Sequence, residues 1–244
     1  MEYLAIIVCG LLLGVLINYL ADVLPLMRTL TKPVCKNCHK EMDWRSYLLF
    51  QPCVNCKKRS VSRRILCTLF VTGFLLWQWN QPSQRLGFYL GTILFCYFCL
   101  VFIIDFEYRL ILFGFSITGL CLGAVLGWWM HGWVITLAGG AAGFGIMWLL
   151  YQAGVWFIKI LSKHHKMPIE EVALGYGDVY LSGIVGLLLG WPGITAGLLL
   201  AILLGGAASL LIIVWNLIQK KYQPLQAIPY APFIIIGAAF LLYR

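Results

Sequence analysis

Eight apolar runs, separated by short polar links, dominate this sequence: roughly residues 3–24, 65–79, 88–104, 110–130, 133–161, 172–189, 193–217 and 230–243. A helix needs about 20 predominantly apolar residues to cross the hydrocarbon core of a bilayer. Lipid offers no partner to a backbone amide, so a crossing segment must satisfy its own hydrogen bonds, and a helix does so. The sequence therefore predicts an all-α polytopic membrane protein with about eight transmembrane helices. Charged residues make up only 11% of the chain, against about 25% in a soluble domain. The run at 65–79 is short and draws on its flanks. The run at 172–189 reaches spanning length only if its helix begins before Asp178.

A net charge of +9 would suggest nucleic acid in a soluble protein. Here no nucleic-acid partner is expected, and the basic residues read as cytoplasmic links, because Lys and Arg set orientation. With the N-terminus outside, eight crossings put 25–64, 105–109, 162–171 and 219–229 on the inside. These segments, with Lys159, hold 16 of the 18 Lys and Arg, leaving Arg85 and Arg244 outside. The first run is long enough to span and lacks a basic n-region, so it is expected to stay as a helix rather than be a cleaved signal. Asn18 and Asp22 lie four apart on one face of it and are expected to face protein or water. The expected division is a first transmembrane helix at 1–24, a cytoplasmic loop domain at 25–64 and a membrane domain at 65–244.

The loop between the first and second helices carries Cys35-x2-Cys38 and, fourteen residues on, Cys53-x2-Cys56. Two such knuckles can supply four thiolates to a tetrahedral Zn²⁺. About forty residues bury too little surface to fold well alone, and a structural metal supplies the missing free energy. Cys96-x2-Cys99 sits mid-run, where packing is the better account.

Only nine residues are acidic. Asp22, Asp105, Glu107 and Asp178 fall at cytoplasmic ends of apolar runs, where a carboxylate is a functional candidate by default. Asp178 closes Gly175-Tyr176-Gly177-Asp178. Its simpler role is to cap a helix, while the glycines remove bulk that would keep a substrate backbone away. Asp105 could instead pair with Arg109 if its helix continues. Two aspartates held about 3 Å apart cannot both ionise easily and share a proton. One then acts as base on a water while the other protonates the peptide carbonyl. Asp105 with Asp178 fits that chemistry best. His164-His165 lacks the His-Glu-x-x-His metalloprotease pattern, and no Gly-x-Ser-x-Gly elbow occurs.

Along nearly its whole length the chain resembles bacterial type IV prepilin peptidases, which are bifunctional leader peptidases and N-methyltransferases. The resemblance rests on Gly10 to Asn18, the four cysteines, Asp105, the Gly175–Asp178 motif with Leu181 and Gly186 to Trp191, and Ile228-Pro229-Tyr230-Ala231-Pro232-Phe233. It implies an intramembrane aspartic endopeptidase of the bacterial inner membrane, with Asp105 and Asp178 catalytic on the cytoplasmic side. It implies prepilin or pseudopilin substrates, cut after a short basic leader. It also implies S-adenosylmethionine as methyl donor to the new N-terminus, though no Gly-rich dinucleotide signature assigns residues to that donor. Where the family usually has a Lys two residues after the motif aspartate, this chain has Tyr180. Two other readings stay open: a proton- or cation-coupled transporter or secretion-assembly component, and a zinc-loop scaffold whose aspartates are structural.

Overall fold

A computed structural model describes residues 1–35, 37–38, 40–49, 51–56, 61–165, 175–219 and 229–244. Among them the chain forms nine helices: α1 (Glu2–Met27), α2 (Trp44–Leu48), α3 (Val61–Asn80), α4 (Gly87–Tyr108), α5 (Phe113–His131), α6 (Trp133–His165), α7 (Tyr176–Leu189), α8 (Gly193–Ile218) and α9 (Ala231–Leu242). The sole extended pairing among the described residues is an isolated bridge, Val34 to Glu41. The expected all-α architecture is therefore observed among the described residues.

Among the described residues five helices are long and apolar enough to cross a membrane: Glu2–Met27, Gly87–Tyr108, Phe113–His131, Trp133–Ile160 and Gly193–Ile218. The expectation was eight. Arg63 and Arg64 in its first turn dilute α3. Helices α7 and α9 have 14 and 12 described residues, which at 1.5 Å per residue reach only about 20 Å. The expected start of the sixth run at 172 lies outside the described residues.

The chain forms two compact units, one of Met1–Tyr108 with Tyr243, the other of Arg109–Leu242 with Arg244. In the first, α1 lies against α3 and α4. Its seam is made by absent side chains. A Cβ on Gly10 would sit 2.8 Å from Thr72 Cα, and one on Gly14 would sit 2.7 Å from Thr68 Cα. Small residues four apart allow this backbone approach in membranes, where packing rather than water drives association. One turn further on, Asn18 is buried and its Nδ2 donates to Gly14 O, Arg64 O and Thr68 Oγ1 at 2.8, 3.2 and 3.4 Å. Asn18 and Asp22 both turn inward, as their spacing implies.

In the second unit α7 touches α5, α6, α8 and α9. Gly139 and Gly143 of α6 abut Gly186 and Ser182 of α7 so closely that neither glycine could carry a side chain. Ser182 Oγ seals the seam by donating to Gly143 O at 3.1 Å. The frequent glycines do not all serve packing, since Gly145 and Gly206 have nothing within 4 Å of a would-be Cβ.

Candidate active site and metal centre

Helix α7 begins at the Gly-Tyr-Gly-Asp motif. Gly175 is extended (φ −74°, ψ 143°) and Asp178 is the third helical residue. The Gly175 N–H donates to Asp178 Oδ2 at 3.2 Å, while the Asp178 N–H donates to Gly175 O at 3.1 Å. An acceptor at this position satisfies one of the orphan amides of the helix start, and its charge suits the positive end of the helix. The capping role is thus real. Asp178 is only 6% exposed. The two glycines differ. Gly175 is exposed, leaving its face open. At Gly177 the missing side chain makes room for Ile111, whose Cβ lies 3.0 Å from where a Gly177 Cβ would be. Tyr176 stands edge-on to Tyr151 and Tyr180 at ring separations of 5.4 and 5.2 Å.

Asp105 lies in the last turn of α4 and is likewise 6% exposed. That helix stops at Tyr108, and Arg109 takes a left-handed φ of 51°. The helical i to i+4 geometry that an Asp105–Arg109 pair needs ends one residue short. The other two carboxylates at these helix ends are engaged by one side chain. Arg63 Nη2 contacts Asp22 Oδ1 at 2.5 Å and Arg63 Nη1 contacts Glu107 Oε2 at 2.7 Å. Tyr47 adds a bond from its hydroxyl to Asp22 Oδ2 at 2.8 Å. Sequence reasoning missed this group. The available signal was Arg63-Arg64 opening an apolar run, because a charge entering a membrane helix needs a partner. Asp105 belongs to the first unit and Asp178 to the second.

The four cysteines are brought together. Their Sγ atoms lie within 4.8 Å of one another, with Cys35–Cys56 and Cys38–Cys53 each at 3.6 Å. A tetrahedral site with metal–sulfur bonds of about 2.3 Å has edges of about 3.8 Å, whereas a disulfide needs about 2.05 Å. The cluster therefore fits a metal ion such as zinc. A short hairpin presents the first knuckle: Cys35 N–H donates to Lys40 O at 2.9 Å, and Met42 N–H to Pro33 O at 2.7 Å. Met42 packs beneath Cys35 and Cys53. His39 lies outside the described residues. Hydrogen bonds from the Cys56 and Asn55 amides hold the Cys53 thiol down at about 7, while burial pushes Cys35 up to about 12.

The loop is docked through α2. Asp43 caps that helix, accepting from Arg45 N–H at 3.3 Å. Tyr47 is buried under the Arg64 guanidinium, 4.5 Å above its ring. Burial, then the Asp22 carboxylate, push the Tyr47 phenol far above its ordinary range, so it stays a donor. Tyr19 of α1 stacks obliquely on Trp44 at 5.0 Å and donates to Thr31 O at 2.5 Å.

Against known families, residues 92–210 match the model described as the type IV leader peptidase family. The matched stretch contains both Asp105 and Gly175 to Asp178. The first-helix glycines, the cysteine loop and the last-helix motif lie outside it. No curated protein and no solved structure matches the chain.

Proposed function

We propose that this chain, which belongs to the type IV leader peptidase family through residues 92–210, is an aspartic endopeptidase that removes leaders from prepilins or pseudopilins. The reading places cleavage at the cytoplasmic face of a bacterial inner membrane. The observation that carries it is that the family match includes two buried aspartates, each in the terminal turn of a helix. In this mechanism Asp105 and Asp178 hold one proton between them. The ionised carboxylate takes a proton from water, and the resulting hydroxide attacks the scissile carbonyl carbon as the protonated partner donates to the carbonyl oxygen. Collapse of the tetrahedral intermediate breaks the C–N bond; the proton gained from water goes to the leaving amine, and a hydroxyl proton of the intermediate returns to the second carboxylate, so the pair again holds one proton. Burial excludes competing water and strengthens both electrostatic contacts.

The exposed face at Gly175 is where an extended substrate would approach the carboxylate of Asp178. Eight crossings with the N-terminus outside put the cysteine loop and both aspartates on the basic side, supported by the 16 of 18 Lys and Arg assigned there. Zinc bound by Cys35, Cys38, Cys53 and Cys56 would hold the loop in one fold; it takes no part in the peptide chemistry. Methylation of the new N-terminus from S-adenosylmethionine follows from the resemblance alone. The first-helix glycines that carry part of that resemblance pack against Thr72 and Thr68, and no step is assigned to the donor.

The test mixes purified protein in detergent with a prepilin and reads product masses with and without S-adenosylmethionine. Cleavage at the leader boundary, lost in both Asp105→Asn and Asp178→Asn, is expected. An intact substrate with wild-type protein, or cleavage by either variant at a rate near that of the wild type, would refute the assignment. A further mass gain of one methyl group decides the second activity.

A further inference from the structure

The ion group at Arg63 takes no part in peptide hydrolysis, yet it joins four helices of the first unit. Arg63 of α3 reaches Asp22 of α1 at 2.5 Å and Glu107 of α4 at 2.7 Å. Tyr47 of α2, in the cysteine loop, reaches the second oxygen of Asp22 at 2.8 Å. Arg64, the next residue of α3, covers the Tyr47 ring and donates to Tyr47 O at 3.4 Å. Asp22 is 4% exposed and Tyr47 2%. Charges held this deeply stabilise little beyond what apolar side chains of the same volume would give, but they tolerate few alternative arrangements. A planar guanidinium binding two carboxylates through different nitrogens fixes both in direction and distance.

Glu107 and Asp105 share the last turn of α4. Holding Glu107 therefore sets the rotation and height of the turn that carries Asp105. Asp22 and Tyr47 connect the same guanidinium to the loop whose fold the cysteine cluster maintains. We propose that Arg63 is a positioning residue which, through Glu107, fixes the Asp105 turn and, through Asp22 and Tyr47, couples that turn to the metal state of the loop. The effect on cleavage rests on the peptidase reading above; the coupling itself does not.

Two measurements test it. The first is leader cleavage by metal-loaded protein. Glu107→Gln and Arg63→Gln are expected to lower kcat about tenfold while KM stays within about twofold, because the catalytic geometry loosens without loss of a substrate contact. Arg63→Lys, which keeps the charge, should recover part of the loss. Tyr47→Phe keeps the ring under Arg64 and removes one bond, so it reports even if the Arg63 variants fold poorly. The second is amide hydrogen exchange of the last turn of α4, with zinc bound and after chelation. Chelation should speed exchange there about tenfold in wild type and much less in Tyr47→Phe, where the link is already cut. Equal exchange in both metal states overturns the proposal, as does an unchanged kcat in Glu107→Gln with an active wild type. If the wild type cleaves nothing, the peptidase reading fails, and the exchange measurement still decides the coupling.

Discussion

The Asp178 carboxylate accepts the Gly175 N–H at 3.2 Å, so the residue that ends the glycine motif also starts the helix that bears it. Structure and chemistry can be separated here by choice of substitution. In Asp178→Asn the side-chain carbonyl can still accept from Gly175, so thermal unfolding in detergent should change little while cleavage is lost. In Asp178→Ala the cap goes too, and stability should fall by about 1 kcal/mol. Equal unfolding of the two variants would remove the cap from the account. Cleavage retained by Asp178→Asn would remove the carboxylate from the chemistry.

Asp105→Asn should lower kcat by about 10²–10⁴-fold, the usual worth of a positioned general acid or base. The double variant with Asp178→Asn should be scarcely worse than either single one, since two groups sharing one proton act as a unit. Multiplicative losses in steady-state kinetics would mean that the two aspartates work separately.

Metal retention by the cysteine loop should depend on pH with a fixed sign. Metal binds thiolates, so binding releases protons and weakens as pH falls. With Cys53 at about 7 and Cys35 at about 12 in the metal-free loop, apparent zinc affinity should drop about tenfold or more per unit below pH 7. Competition with a chromogenic chelator at three pH values measures this, and a flat profile would contradict it. Cys35→Ser should lose the metal and expose the loop to protease; full zinc content in that variant would exclude Cys35 as a ligand.

Bulk should be costly at a glycine in the α1–α3 seam and tolerated at a glycine on the open face of α3. Gly14→Leu would push its Cβ onto Thr68 and is expected to cost about 1–3 kcal/mol. Gly73→Ala, in α3 with nothing within 4 Å, should unfold like wild type. Thermal melts of the two side by side check the contrast, and matched melts would mean that the seam can relax.

Much of this architecture was legible because lipid leaves a chain so few options. The apolar runs marked eight of the nine helices; the short α2 was invisible to hydropathy because it has five residues and leans on a cap from Asp43. The spacing of the cysteines anticipated their meeting, since two knuckles need only one hairpin turn each to converge. Helix α5 begins at Phe113, three residues into the apolar run that opens near 110, because nothing in Arg109 signals a left-handed residue. The Arg63 bridge was missed for a different reason. Asp22, Arg63 and Glu107 are far apart in sequence, and no periodicity within one helix records a partner on another. The division of labour among the carboxylates depended on that bridge: it engages two of the four.

Ten of the fourteen residues of α7 are buried, Asp178 among them, with neighbouring helices on several sides. Fatty acyl chains therefore meet those neighbours first. Thickening or thinning a bilayer is absorbed by tilt and local deformation of the helices it wets, and a stave enclosed by others feels such stress only second-hand. Activity reconstituted in lipids of graded chain length should accordingly vary gently, making the acid at the tip of α7 more sensitive to its protein surroundings than to the fluid around them.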